Sequence, residues 1–158
     1  MSKVGQIGRL AAVLCAMVAL AGPAAAQDGQ GQGARGPASL VTVVTSAEPQ
    51  TQLMAMVLTM QALKQGAEGR ILLCGPGGDI ALKAAPEGAT APQAPMGMSP
   101  QGLMRKIQAE TGAAVEVCAL YLPNRQADPS VLIDGVGVAK PGPMAAALMA
   151  PRTRVLSF

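Results

Sequence analysis

The side chains best suited to chemistry in this chain are the thiols of Cys74 and Cys118. The sequence has no histidine, so the usual general base and the usual partner of a nucleophilic serine or cysteine are absent. A cysteine reacts as its thiolate, which without histidine needs a nearby cation or exposed backbone N–H groups. Arg125, seven residues after Cys118, is therefore the predicted thiolate support. The alternative for each cysteine is a small buried apolar side chain with no reaction to perform.

Cys74 begins the segment CGPGGD, whose glycines offer a second possible site. Gly75, Gly77 and Gly78 could expose consecutive backbone N–H groups and bind an anion ahead of a helix. A plain tight turn is the favoured interpretation of the same residues. The segment also resembles the start of a dithiol site, but position 77 is glycine, so a second thiol is missing locally.

Methionine offers a third possibility, because Met96 and Met98 lie in a proline-rich segment. Thioether and thiolate ligands favour Cu(I), so an exported Met-Gly-Met segment could bind copper. No histidine or third cysteine completes such a site, and methionine as an apolar filler is the favoured interpretation. We therefore expect no metal and no cofactor. Paired carboxylates, a phosphate-binding loop and zinc-ligand spacing are also absent from the sequence.

The N-terminal segment predicts a secretory signal peptide over residues 1–26. Lys3 and Arg9 precede an apolar run at 10–21, and three alanines end the segment at Ala26. Cleavage after Ala26 would place the domain in the periplasm or outside the cell; an uncleaved anchor is the alternative. Cleavage removes two of 12 basic residues and none of nine acidic ones, which lowers the formal charge from +3 to +1. That charge gives no electrostatic case for nucleic acid, or for a membrane after signal cleavage.

The remaining chain predicts a flexible Gly/Gln-rich leader at 27–38 and one domain at 39–158. Within this domain, apolar β-branched runs alternate with helical patterns. The predicted strands are at 39–45, 70–74, 114–120, 136–139 and 153–158, and the predicted helices are at 50–65, 79–85, 100–110 and 144–149. Residues 86–98 are expected to form a loop or lid. This alternation predicts an α/β sandwich with a mostly parallel sheet. Both cysteines fall at or near the carboxyl ends of strands, where ligands bind in such sheets. If the second and third strands are neighbours, Cys74 and Cys118 are close enough for a reversible disulfide.

Three segments give the chain a family resemblance: LVTVVTSAEP, VEVCALYLPNR with its Cys118, and VLIDGVGVAKPGPMAAALMAPRTRVLSF. Together they resemble the DsrE-like (DsrE/DsrF/TusD) proteins. The resemblance implies a three-layer α/β/α sandwich around a five-stranded sheet and a tendency to form homo- or hetero-oligomers. In the sulfur-relay members the cysteine matching Cys118 carries sulfur as a persulfide and passes it to a partner protein.

The predicted function is accordingly an exported, thiol-based sulfur carrier or redox protein acting through Cys118, with Cys74 in support. The expected partners are further copies of the chain and a sulfur-donor or acceptor protein. Whether the chain turns over a substrate as an enzyme is left open. Two alternatives stay open as well: a non-catalytic oligomeric binding module, and a Met/Cys copper-binding periplasmic protein. The rings of Tyr121 and Phe158 are the only aromatic ones, which excludes a stacking platform for single-stranded nucleic acid.

Overall fold

A computed structural model describes residues 37–158. Its strands are β1 (Ser39–Val44), β2 (Glu68–Leu73), β3 (Ala114–Val117), β4 (Val136–Val138) and β5 (Thr153–Ser157). Its α-helices are α1 (Pro49–Lys64), α2 (Glu87–Thr90), α3 (Pro100–Thr111), α4 (Tyr121–Asn124) and α5 (Pro141–Met149), and 3₁₀ helices span Gly75–Ala81 and Pro129–Val131. The predicted signal peptide and residues 27–36 of the predicted leader lie outside the described residues. Within 37–158, no helix has both the length and the apolar character needed to cross a membrane.

The five strands form one sheet in the order β4-β3-β2-β1-β5, and every neighbouring pair is parallel. The predicted α/β class is therefore confirmed, with an all-parallel sheet among the described residues. Parallel strands need a crossover between them, and the helices supply it. Because all strands run the same way, their carboxyl ends share one edge of the sheet.

Helices cover both faces of the sheet, but unequally. Val44, Leu73 and Val117 belong to the main core, which they form with α1 and α3. Side chains alternate between the two faces of a strand. Val41 and Leu72 lie on the opposite face, where they belong to a smaller core packed by α5. Apolar side chains on both faces explain why these strands are continuous apolar runs.

The limits of α3 follow the predicted signals. The Ser99 hydroxyl accepts a hydrogen bond from the Gly102 N–H at 3.1 Å, and Pro100 occupies the first helical position. Gly112, at φ +69°, ends the helix in the left-handed conformation.

The structure differs from the predicted elements at the end of the third strand, in one helix and in one loop. The third strand stops at Val117, not at residue 120, because the Cys118 carbonyl accepts from the Tyr121 N–H at 2.9 Å and turns the chain into α4. The helix predicted at 79–85 is a 3₁₀ helix that begins earlier, at Gly75. The predicted loop at 86–98 contains α2 and a tight turn closed by pairing of Gln93 with Met98.

Candidate functional site

Cys74 and Cys118 lie side by side at the carboxyl edge of the sheet. Leu73 and Val117 are paired in register on β2 and β3, and each cysteine is the next residue after its strand. The Cys118 N–H donates to the Leu73 carbonyl at 2.8 Å, which extends the pairing past the strand ends. Both cysteines are free thiols. The structure thus brings together the two thiols whose proximity the strand pattern predicts.

The two thiols have different surroundings. Both cysteines pack against the smaller core beneath α5, but only Cys118 also packs against the main core. Burial raises the pKa of Cys74 from its usual 9.0 to about 12, and the adjacent Cys118 thiol adds to the rise. A smaller effect of the Cys118 backbone N–H lowers the pKa of Cys74. Cys74 therefore stays protonated at neutral pH.

A cavity of about 430 Å³ opens in front of Cys118. It lies between the loop after β2 and the turn after β3. Its lining residues are Gly75, Pro76, Asp79, Cys118, Leu120, Tyr121, Asn124 and Arg125. Cys74 does not line it, so Cys118 is the member of the pair that an external reagent in this cavity meets.

Asp79, Tyr121 and Arg125 form the polar wall of this cavity. The Tyr121 hydroxyl donates to Asp79 Oδ1 at 2.8 Å, and the Arg125 guanidinium donates to the same oxygen. The guanidinium carbon also lies 4.9 Å from the centre of the Tyr121 ring. Burial, followed by the bond to Asp79, raises the pKa of Tyr121, so its hydroxyl remains a donor.

Arg125 thus lies in the cavity with Cys118, but its charge is paired with a carboxylate. The Asp79 carboxylate reduces the positive potential that the guanidinium offers to a nearby thiolate. The cavity as a whole holds one fixed cation, one carboxylate and a neutral phenol beside a thiol. Such a wall can orient a small polar or anionic reagent while leaving Cys118 as the nucleophile.

The glycines after Cys74 are required by close packing. A side chain at Gly77 would collide with the Val44 carbonyl, and one at Gly78 would collide with the Tyr121 ring. The Gly77 N–H donates to the carbonyls of Thr45 at 3.2 Å and Cys74 at 3.1 Å, so it is engaged within the protein. Gly75 lines the cavity with φ +51°. Anion binding by Gly75, Gly77 and Gly78 remains a prediction.

Asp79 and Tyr121 are the site residues that the sequence analysis did not single out. Asp79 follows Cys74 by five residues and Tyr121 follows Cys118 by three, so both leave the same sheet edge as the thiols. The signal available in the sequence was this shared position after two neighbouring strands. What it could not supply was the tight turn at Cys118, which directs the Tyr121 ring onto Gly78.

Met96 and Met98 lie away from the cysteine pair, in a separate groove that Met54 and Met60 also line. Met96 is 80% exposed. Across residues 37–158 there is no cluster of three histidine, cysteine, aspartate or glutamate side chains able to hold a metal ion. The structure therefore adds methionines, but no other soft ligand, around Met96 and Met98.

The fold has counterparts among solved structures. The YchN protein of E. coli superposes with a TM-score of 0.60 at 17% identity, over 77% of this chain and 99% of YchN. MTH1491 from Methanobacterium thermoautotrophicum, a protein of unknown function, superposes with a TM-score of 0.57 at 9% identity, again over 77% and 99%. Both have the DsrE/TusD-like fold. No protein-family model and no curated protein sequence matches this chain.

These structural superpositions establish the fold, and the function has to be inferred from the site. The class defined is a small all-parallel α/β domain with the DsrE/TusD-like arrangement. On that fold this chain carries a thiol pair at the carboxyl edge of the sheet, where ligands bind in parallel α/β proteins.

Proposed function

We propose that this chain is a thiol-based sulfur carrier or redox protein that acts through Cys118, with Cys74 as its second thiol. One observation carries the proposal: Cys118 opens onto a cavity while Cys74 lies beside it at the end of the neighbouring strand. Proteins with the DsrE/TusD-like fold provide a scaffold compatible with this role.

The loading step needs a persulfide as sulfur donor. The Cys118 thiolate attacks the outer sulfur of R–S–SH, the donor's S–S bond breaks, and R–S⁻ leaves. Cys118 then carries –S–SH, and no net oxidation or reduction has occurred. The reverse reaction, with an acceptor thiolate attacking the outer sulfur of Cys118, delivers the sulfur onward.

Cys74 gives the pair a second outcome. Attack of the Cys74 sulfur on the inner sulfur of the Cys118 persulfide forms the Cys74–Cys118 disulfide and releases HS⁻. The nucleophile in such an exchange is the thiolate, and the raised pKa keeps Cys74 as a thiol at neutral pH. We infer that burial of Cys74 prolongs the life of the persulfide, and that the disulfide is the redox form of the same site.

Peptide mapping after treatment with a small-molecule persulfide tests the function. We expect one added sulfur atom on the peptide containing Cys118, and its loss in Cys118→Ser. Cys74→Ser is the matched control, because it retains the outward thiol and is expected to load normally. Loading on Cys74 alone, or no loading of the folded chain, would contradict the proposal.

Export is part of the proposal and has its own test. The charge, apolar run and alanines of residues 1–26 support a cleaved signal peptide. N-terminal sequencing of the chain purified from cells is expected to begin at Gln27. A chain that retains Met1, or its cleaved form in the cytoplasm, would contradict this localisation.

We also propose that the chain forms a homo-oligomer, because apolar side chains are exposed on the face of the sheet packed by α5. On the α5 side, Val155 is 49% exposed and Met149 is 84% exposed. We propose that a second copy covers this α5 face, defined by Val155 and Met149. Native mass spectrometry should show an oligomer that Val155→Glu dissociates. Leu58→Glu on α1, against the opposite face, is the control; a monomeric parent chain would contradict the interface.

A further inference from the structure

A second concavity among residues 37–158 lies away from the thiol pair. A groove of about 680 Å³ runs between α1, the first half of α3 and the tight turn closed by Gln93 and Met98. This volume falls within the range of small-molecule sites, roughly 300–1,000 Å³. Its apolar lining includes Leu53, Met54, Val57, Met60, Met96 and Met98.

The wall of this groove is apolar, adaptable and partly open to solvent. Met60 forms its buried part, whereas Met54 is 51% exposed. Methionine side chains are unbranched and polarisable, so they can repack around a flexible apolar ligand. Four methionines in one groove therefore favour a hydrocarbon chain over a rigid, highly polar ligand.

The charged groups along the groove have one sign. Lys64, in the last turn of α1, and Lys106, on α3, both line it, and none of the acidic side chains within 37–158 does. Lys106 has a partner in Glu110 at 3.7 Å, but both side chains are about half exposed, so this ion pair is weak. The remaining polar lining consists of neutral glutamines at positions 50, 61 and 93. An apolar ligand that carries one negative charge matches this arrangement.

We propose that this groove binds a monomeric fatty acid, with the hydrocarbon chain against the methionines and the carboxylate near Lys64 and Lys106. The proposal uses none of the residues of the thiol site, so it stands independently of the function proposed for Cys118. The groove is concave and walled by two helices and a turn, which suits a single acyl chain better than a flat bilayer surface.

Titration calorimetry of the full chain with dodecanoate tests the proposal. We expect saturable 1:1 binding that tightens about tenfold for each two added methylenes across octanoate, decanoate and dodecanoate. Met54→Glu introduces a charge into the apolar lining and is expected to weaken binding by about tenfold or more. Leu58→Glu is the matched control, because Leu58 lies on the same helix, is 42% exposed and does not line the groove.

The headgroup is tested with a second pair of ligands. The double variant Lys64→Glu/Lys106→Glu should weaken binding of dodecanoate and leave binding of the uncharged dodecan-1-ol unchanged. Lys140→Glu is the control, because Lys140 is exposed and lies outside the groove, and it should leave binding of both ligands unchanged. Absence of dodecanoate binding, or equal loss in Met54→Glu and Leu58→Glu, would overturn the proposal. So would a dimer that Met54→Glu dissociates, because a second copy would then occupy the groove. Adsorption to phosphatidylglycerol vesicles without binding of monomeric dodecanoate would overturn it as well.

Discussion

Loss of sulfide from a persulfide on Cys118 is expected to follow the ionisation of Cys74. With the pKa of Cys74 raised to about 12, its thiolate fraction stays small through the neutral range. At pH 7 that fraction is roughly 10⁻⁵, and each added pH unit raises it about tenfold until the pKa is reached. HS⁻ can leave only from a persulfide whose outer sulfur is protonated, so it is the release rate per protonated persulfide that should increase about 100-fold between pH 8 and pH 10. A cysteine with its usual pKa of 9.0 would instead level off within that interval.

The assay loads Cys118 with sulfur, removes the donor and follows HS⁻ release together with disulfide formation at several pH values. Cys74→Ser provides the control, since it retains the persulfide but lacks the internal nucleophile, and its release should stay slow. A release rate per protonated persulfide that levels off near pH 9 would refute the link between burial of Cys74 and persulfide lifetime. Equal rates in the parent chain and in Cys74→Ser would refute the role of Cys74 altogether.

Two further predictions concern the cavity wall and the core. Arg125→Met should slow alkylation of Cys118 by iodoacetamide several-fold, because it removes the cation near the thiolate. Asp79→Asn should accelerate the same alkylation, because it frees the Arg125 guanidinium from its carboxylate partner. Unchanged rates in both variants would show that Arg125 does not support the thiolate. The hydroxyls of Thr42 and Thr59 are 2.6 Å apart in the core. Thr59→Val should lower the free energy of unfolding by about 1–3 kcal/mol in chemical denaturation, because it leaves a buried hydroxyl without a partner. Thr42→Val should lower it less, since Thr59 keeps its bond to the α1 backbone, and equal losses would contradict this assignment.

The layout of the sheet was accessible from the sequence because the signals were local. Apolar runs on both strand faces indicate burial beneath helices, and Ser99, Pro100 and Gly112 carry the chemistry of a helix start and stop. The same pattern located Cys74 and Cys118 at strand ends. Their adjacency needed one further fact, that β2 and β3 are neighbours in the sheet.

The polar wall of the cavity was less accessible because it depends on contacts distant in sequence. Asp79 and Arg125 are 46 residues apart, and nothing near either residue indicates the other. The early end of β3 depends on one hydrogen bond from the Tyr121 N–H to the Cys118 carbonyl, and an apolar run that continues through Leu120 conceals it. Likewise, the Met96–Met98 segment could be identified as unusual, but the methionines of α1 beside it follow only from packing.

The most direct test of the account is a thiol count before and after mild oxidation, with the products mapped as peptides. The adjacency of the two strand ends predicts that oxidation removes two thiols together and links the Cys74 peptide to the Cys118 peptide within one chain. Two thiols that remain free after oxidation, or a disulfide formed between chains alone, would contradict a working thiol pair at this edge of the sheet.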